Sequence, residues 1–337
     1  MSNNKFLKPI YLAPMEGITG YVFRNSYFNV YGNIEKYFTP FIVPVIKREF
    51  KSRELRDIIP DNNKNMYTVP QILTNNSHDF FKTVENLKKY EYKEVNINMG
   101  CPSGTVVSKN KGAGFLSIPD KMDEFLYEIF SNIDVRISVK TRIGMESEDE
   151  FYKLLDIFNK YPLEEIIIHP RLRKDFYKNE IHMEIFDYAY KKSKNPICYN
   201  GDIVDINDYF NIIEKYPDIK AVMIGRGIIS NPDLACEIFS NGKYIDNKKD
   251  KTAENIIRNR YRKLKEFHNI LYEGYKLEIQ GDINVLYKMK EMWFYFSKNF
   301  ENKEKNIKKI KKSKNLREYE NAVGEIFYED KDTLSYN

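Results

Sequence analysis

Short apolar runs recur along the chain: Ile10–Ala13, Tyr37–Val43, Thr68–Leu73, Glu94–Met99, Ile137–Arg142, Glu165–His169, Pro196–Asn200 and Ala221–Gly225. Each has the length and the β-branched and aromatic content of a buried strand. Between the later runs, Lys121–Phe130, Phe151–Asn159 and Tyr209–Tyr216 space their apolar residues three and four apart, which predicts helices packing one face inward. Alternation of this kind predicts a parallel sheet, and eight strand-helix units predict a closed (β/α)8 TIM barrel. An open doubly wound sheet is the rival, but its G-x-G-x-x-G turn is missing after the first strand. The pattern changes at Asn241-Gly242-Lys243, and the polar stretch Asp246–Lys251 reads as a linker. Beyond it, Ala253–Phe267 and Val285–Phe300 read as amphipathic helices separated by a loop containing Gly274 and Gly281. The expected organisation is an α/β barrel over residues 1–242 and an all-helical domain over 251–337.

A chain of 337 residues has room for a barrel and an appendage. No apolar run approaches the roughly 18 residues of a membrane span, and Met1–Pro9 lacks the apolar centre of a signal peptide, so a cytoplasmic protein is expected. Cys101, Cys198 and Cys236 are far apart, as are His78, His169, His182 and His268. None shows metal-ligand spacing, so no metal is expected and any cofactor should be organic. The net charge of +5 says little until it is located. Between Asn302 and Arg317 stand Lys303, Lys305, Lys308, Lys309, Lys311, Lys312, Lys314 and Arg317 against the single acid Glu304. Such a run is either a solvated helix face or, beside an enzyme barrel, a surface for nucleic acid.

In a barrel the chemistry gathers where strands end. Gln71 interrupts the third run, Asn96 and Asn98 share one face of the fourth, and Lys140 and Arg142 share one face of the fifth. Burying those cations unpartnered would cost several kcal/mol, so either a bound anion or cofactor or an internal ion pair must compensate. His169 ends the sixth run, with Arg171 two residues on. The seventh ends in Asn200-Gly201-Asp202 and the eighth in Gly225-Arg226-Gly227, before a helix expected near Pro232. Barrels commonly hold a phosphate at those two turns. Cys101, between Gly100 and Pro102, opens the glycine- and lysine-rich loop Ser103–Gly114. The flanking residues suggest a thiol held in place, with structural, nucleophilic and acid roles all open. The set suits a phosphorylated heterocycle such as FMN, with Lys140 stabilising negative charge on the reduced ring.

Ala13-Pro14-Met15-Glu16-Gly17-Ile18-Thr19, Asn98-Met99-Gly100-Cys101-Pro102, Lys109–Leu116, Val139–Gly144, Asn200-Gly201-Asp202 and Met223–Gly227 together resemble the tRNA-dihydrouridine synthases. Glu16 and the Ser138-Val139-Lys140 phrase lean toward the bacterial C-type branch. The resemblance implies FMN-dependent reduction of the C5–C6 double bond of tRNA uridines, expected in the D-loop, with NADPH as reductant. Hydride would pass from flavin N5 to C6, and Cys101 would give a proton to C5. Pro14, Met15, Gln71, Lys140, His169, Asn200, Gly201, Asp202, Gly225 and Arg226 would then bind the cofactor. Asn98, Arg142 and Arg171 would meet the substrate. The target base must leave its stack, and the helical domain would grip the tRNA, with the enzyme a monomer. His169-Pro170-Arg171-Leu172 departs from the family's usual His-Gly-Arg-Thr, and Gly20 stands where an aspartate is frequent. The alternatives are an FMN barrel oxidoreductase acting on a free small molecule such as a dihydropyrimidine or an enone, and a non-catalytic RNA-binding protein.

Overall fold

The computed structural model describes residues 7–45, 49–240 and 253–332. Nine parallel strands form one sheet: β1 Ile10–Leu12, β2 Lys36–Phe38, β3 Thr68–Val69, β4 Gln71–Ile72, β5 Glu94–Met99, β6 Arg136–Arg142, β7 Ile166–His169, β8 Ile197–Tyr199 and β9 Ala221–Ile224. Their order is β3-β2-β1-β9-β8-β7-β6-β5-β4. The two ends of that ladder are the halves of a single predicted strand, Thr68–Leu73. Pro70 divides it because proline has no N–H for the ladder. The predicted Tyr37–Val43 strand is likewise shortened, and Ile42 rejoins the sheet by a bridge to Ile72. The sheet therefore returns on itself as the expected barrel. Neighbouring strand ends fall in register, with Asn98 opposite Lys140 and Arg142 opposite His169.

Tyr11, Ala13, Phe38, Val69, Ile167, Cys198, Ala221 and Met223 form a buried apolar cluster contributed by the strands. At the strands' N-terminal end, Lys36 Nζ lies 2.8 Å from Glu94 Oε1 and 2.9 Å from Glu165 Oε1, and the Tyr11 hydroxyl donates to Glu165 Oε2 (3.1 Å). Burial would neutralise Lys36, but Glu165 and Glu94 outweigh it and hold the ammonium above its ordinary range. This end of the barrel is closed by mutually satisfied charges.

The helices are α1 Tyr21–Val30, α2 Ser52–Ile58, α3 Ser77–Lys88, α4 Gly104–Val107, α5 Pro119–Asn132, α6 Glu150–Phe158, α7 Met183–Lys192, α8 Ile206–Lys215, α9 Arg226–Ser230, α10 Leu234–Phe239, α11 Ala253–Glu278, α12 Asp282–Phe296, α13 Glu304–Lys312 and α14 Leu316–Asp332. Their amphipathic patterning is visible in α6, which buries Phe151, Leu154, Leu155 and Phe158. The helix expected near Pro232 is α10, which starts at Leu234, and the short α9 precedes it directly after Gly225. None of the described helices is long and apolar enough to cross a membrane.

The chain divides into two compact units. One contains the whole sheet and comprises the chain up to Tyr21, Ile34–Asp202 and Tyr209–Ile224. The other gathers Val22–Asn33, Ile203–Asp208 and the chain from Gly225 onward, so most of α1 belongs with the C-terminal helices. The boundary expected between residues 242 and 251 lies outside the described residues. Within the second unit, Phe267 packs edge-on against Phe23, Tyr27 and Tyr31 at 5.5, 6.1 and 5.6 Å. Gly274, expected in a loop, lies inside α11, where a Cβ would stand 2.6 Å from Val22 Cγ1. The break comes instead at Gly281, whose φ of +88° precedes α12. The buried His268 faces the Tyr319 hydroxyl (2.6 Å), which also accepts from Trp293 Nε1 (2.8 Å). Burial pushes His268 down to about 4, keeping it a neutral acceptor in this core.

Candidate active site

The loop after β5 carries Cys101. Asn98 turns back at the strand end, its Oδ1 accepting from the backbone N–H groups of Gly100 (3.1 Å) and Cys101 (2.9 Å). The sequence suggests that Gly100 and Pro102 clamp the thiol, but the structure places the tightest steric constraint elsewhere. A Cβ at Gly100 would have ordinary contacts, nothing nearer than 3.5 Å. At Gly112, with φ +57°, a Cβ would meet Cys101 O at 2.8 Å and Cys101 Cβ at 2.9 Å. Ala113 N–H donates to the Cys101 carbonyl (3.0 Å). The KGAGF segment therefore folds directly onto the cysteine and needs its glycine there. Burial raises the thiol above its ordinary range; Glu16 adds to this, while the Ser103 backbone, Arg142 and Lys140 oppose it. The resulting group is a protonated thiol at neutral pH.

Arg142 is 1 % exposed, and its guanidinium is directed at backbone. Nε donates to Gly100 O (3.1 Å), one Nη to Leu172 O (2.7 Å) and the other to Phe176 O (2.7 Å). No internal ion pair is needed to explain its burial. The three carbonyls belong to the cysteine loop and to the loop after β7, so one side chain staples the two together. Phe176 has φ +49°, a costly conformation for a residue with a side chain, and its carbonyl is one of those held.

Arg171 is buried too, with its Nη atoms 3.2 and 2.6 Å from the Asp202 carboxylate and Nε donating to Asn179 O (2.8 Å). One Nη also stands 3.2 Å from His169 Nε2. A guanidinium only donates, so Nε2 accepts and the imidazole proton sits on Nδ1. Tyr177, which sequence reasoning missed, stacks on His169 at 5.9 Å and lies under the Arg142 guanidinium at 5.2 Å. A second missed group is His182, whose ring nitrogens face Glu148 and Asp175, the latter at 2.9 Å. Asp175 in turn accepts from Leu172 N–H (2.8 Å) within the loop after β7, while the contact of His182 with Glu148 ties that loop to the one after β6. Neither has a local sequence signal, because Arg142 and Glu148 reach these rings from β6 and the loop after it.

Gln71, Asn96 and Asn98 form one amide chain. Gln71 Nε2 donates to Asn96 Oδ1, Asn98 Nδ2 donates to Gln71 Oε1, both at 2.7 Å, and Asn96 Nδ2 donates to Ser138 Oγ (2.9 Å). Asn200 Nδ2 donates to Met223 O (2.8 Å). Gly201 cannot carry a side chain, since the Tyr199 hydroxyl lies 1.9 Å from where its Cβ would be. Pro14 and Met15 follow β1, with Met15 N–H held by Thr19 Oγ1 (2.8 Å). Gly225 and Arg226 follow β9 directly in the chain and group with the second unit.

Lys140 is the exception to this economy of partners. Its ammonium makes no hydrogen bond or ion pair among the described residues. Burial, reinforced by Arg142, pushes it down to about 8. A partly buried cation without a counter-charge is a natural receptor for an anionic or strongly polar ligand. Among the described residues no group of three or more His, Cys, Asp or Glu side chains is placed to hold a metal ion.

A family model described as dihydrouridine synthase (Dus) matches residues 11–326. A probable tRNA-dihydrouridine synthase of Staphylococcus aureus strain Mu50 is 31% identical over 236 residues, 66% of this chain and 68% of that protein. The probable tRNA-dihydrouridine synthase 2 of Bacillus subtilis strain 168 is 28% identical over 236 residues, 66% of this chain and 69% of that one. Among solved structures, morphinone reductase in complex with tetrahydroNAD aligns with a TM-score of 0.45 at 11% identity, covering 69% of this chain and 86% of that chain. The family match runs from β1 into α14 and includes the strand ends bearing Cys101, Lys140 and His169, so the chain belongs to the dihydrouridine synthase (Dus) family.

Proposed function

We propose that the protein is a tRNA-dihydrouridine synthase that uses FMN, with NADPH as reductant, to saturate the C5–C6 double bond of a D-loop uridine in tRNA. The observation that carries this reading is the pairing of a protonated Cys101 thiol with the unpartnered Lys140 ammonium at the active end of a Dus-family barrel. The donor set fits FMN. Lys140 offers a cation lacking a counter-charge, Asn200 keeps its amide oxygen and Gln71 a further N–H, and His169 stands beside Arg171 at the end of the neighbouring strand. Pro14 and Met15 would line the ring, Gly201 would leave room for the Tyr199 hydroxyl behind it, and Asp202 would keep Arg171 in place beside His169. By resemblance, Gly225 and Arg226 would hold the phosphate.

Bound FMN supplies the hydride. The protein's own contribution is a proton at the Cys101 Sγ, available because burial disfavours the thiolate. Asn98 and Gly112 fix the backbone that presents it. Arg142 keeps that loop in a constant relation to the loop after His169. A free small molecule would not call for the basic run at 302–317, whereas tRNA would.

The test is to incubate the purified chain with unmodified tRNA and NADPH, identify the released flavin, and map dihydrouridine by mass spectrometry. Wild type should form the product in the D-loop, and Cys101→Ala should lose about 10² to 10⁴ in rate, the usual share of general acid catalysis. Equal rates would remove the acid role from Cys101. Turnover of a free dihydropyrimidine or enone with none of tRNA would replace the reading altogether.

A further inference from the structure

The second unit bears an exposed apolar stripe that its own core does not use. Along α12, Ile283, Tyr287 and Phe294 are 46 %, 61 % and 61 % exposed, while Val285, Leu286, Met289, Met292, Trp293 and Phe296 are buried. Tyr287 and Phe294 are seven residues apart, close to two helical turns, so both rings stand on one face about 10 Å apart. Lys290 lies between them, its Nζ 5.9 Å from the centre of the Tyr287 ring. The same Nζ donates to the carbonyl of Ser313, the residue that ends α13. The aromatic stripe is therefore contiguous with the C-terminal end of the lysine-rich helix.

Charge decides what such a surface can accept. α13 buries Asn306 and Ile310 and turns Lys305, Lys308, Lys311 and Lys312 to solvent, with Lys314 exposed just beyond. None of these five ammonium groups has an ion-pair partner among the described residues. Glu291, the acid between the two rings, is already paired with Lys288 (2.7 Å). A second copy of the chain laid on this face would bring another lysine row against the first and be repelled. A polyanion would be attracted, and one with unpaired bases would also find rings to stack on.

We infer that Tyr287 and Phe294 are base-stacking residues, and that the stripe with α13 binds a segment of tRNA holding unpaired bases. Lysines neutralise the phosphates while the two rings take the faces of exposed bases, a division of labour that sets grip without reading sequence. The inference rests on the reading of tRNA as substrate, but it concerns a surface distinct from the residues assigned to the chemistry.

The experiment measures binding of unmodified tRNA transcript to the full chain by fluorescence anisotropy over a salt series. Tyr287→Ala/Phe294→Ala should weaken binding about tenfold with an unchanged salt slope, since stacking releases no counterions. Lys308→Gln/Lys312→Gln should weaken binding and flatten the slope by about 1.5. Tyr287→Trp/Phe294→Trp should keep the wild-type affinity, which separates stacking from loss of fold. The proposal is overturned if the alanine variant binds tRNA as tightly as wild type. It is also overturned if sedimentation shows a wild-type dimer that the alanine variant dissociates without loss of tRNA affinity. Stripe-dependent tRNA binding by a chain that forms no dihydrouridine would uphold this inference and sink the enzymatic reading.

Discussion

Replacing Arg142 tests whether the two active loops are held by one side chain. In Arg142→Lys the charge remains, but a single ammonium cannot reach carbonyls that the guanidinium meets with three separate nitrogens, at 3.1, 2.7 and 2.7 Å. Each charged hydrogen bond is worth about 1.5–3 kcal/mol, and three of them on one group are not additive. The lysine retains part of one or two, so a net loss of about 2–4 kcal/mol in stability is expected, in the range of disrupted buried networks. The functional effect should be larger than the structural one. Releasing Gly100 O lets the Cys101 backbone drift, and a misplacement of about 1 Å commonly costs on the order of 10²-fold in rate. Single-turnover kinetics with tRNA, combined with a tRNA binding isotherm over a salt series, separates the alternatives. The expected result is a rate lower by about 10²-fold at saturating tRNA, with affinity within twofold of wild type and an unchanged salt slope. If Arg142 instead contacts the substrate, Arg142→Gln would weaken tRNA binding and reduce the salt slope by about one, and the stapling argument would be refuted.

Lys140 gives a pH signature. Its folded-state value of about 8 lies below the ordinary lysine range, so the folded protein resists its charge at neutral pH and gains stability from this site as pH rises through 8 toward the unfolded value. Lys140→Met, compared with wild type after small-molecule ligands are removed, should melt at a higher temperature at pH 7, and the difference should close between about pH 8 and pH 10.5. A pH-independent difference would mean that burial of the ammonium is not its cause. At the other end of the barrel, Lys36→Met leaves Glu94 and Glu165 facing one another without their shared cation. Urea unfolding should show a loss of about 3–5 kcal/mol, largely recovered in Lys36→Met/Glu94→Gln/Glu165→Gln; a loss under about 1 kcal/mol in the single variant would show that the carboxylates are satisfied otherwise.

The barrel was legible because strand and helix periods are local properties of sequence. Its closure through Pro70 was harder to see, since Thr68–Leu73 reads as one strand until the missing proline N–H is counted. Gly274 misled for a related reason: a glycine usually marks a turn, and only its close approach to Val22 shows why one sits mid-helix. At the active end, Cys101, Lys140 and His169 were recognisable from their places at strand ends. What each does next to its neighbours was not. Asn98 spends its amide on the Gln71 side chain and two backbone N–H groups, Arg142 on three carbonyls and Arg171 on Asp202, and of these partners only the Gly100 and Cys101 N–H groups lie within the motif that announces the residue. Motifs identify which chemical groups arrive; loop geometry determines which remain available.

That distinction gives the two ends of the barrel opposite physical characters. At the N-terminal end of the strands, a lysine and two glutamates are buried together, and each charge is answered by another within about 3 Å. At the C-terminal end two arginines are buried just as deeply, yet both are consumed in fixing loops. Of Lys140, Arg142 and Arg171, Lys140 is the one left unanswered among the described residues. An unanswered charge persists in a folded protein only if the rest of the structure can carry its cost. The saturated network below and the stapled loops around it supply that support, so the ammonium, the thiol and the imidazole can stay in positions that favour a ligand over the stability of the empty chain.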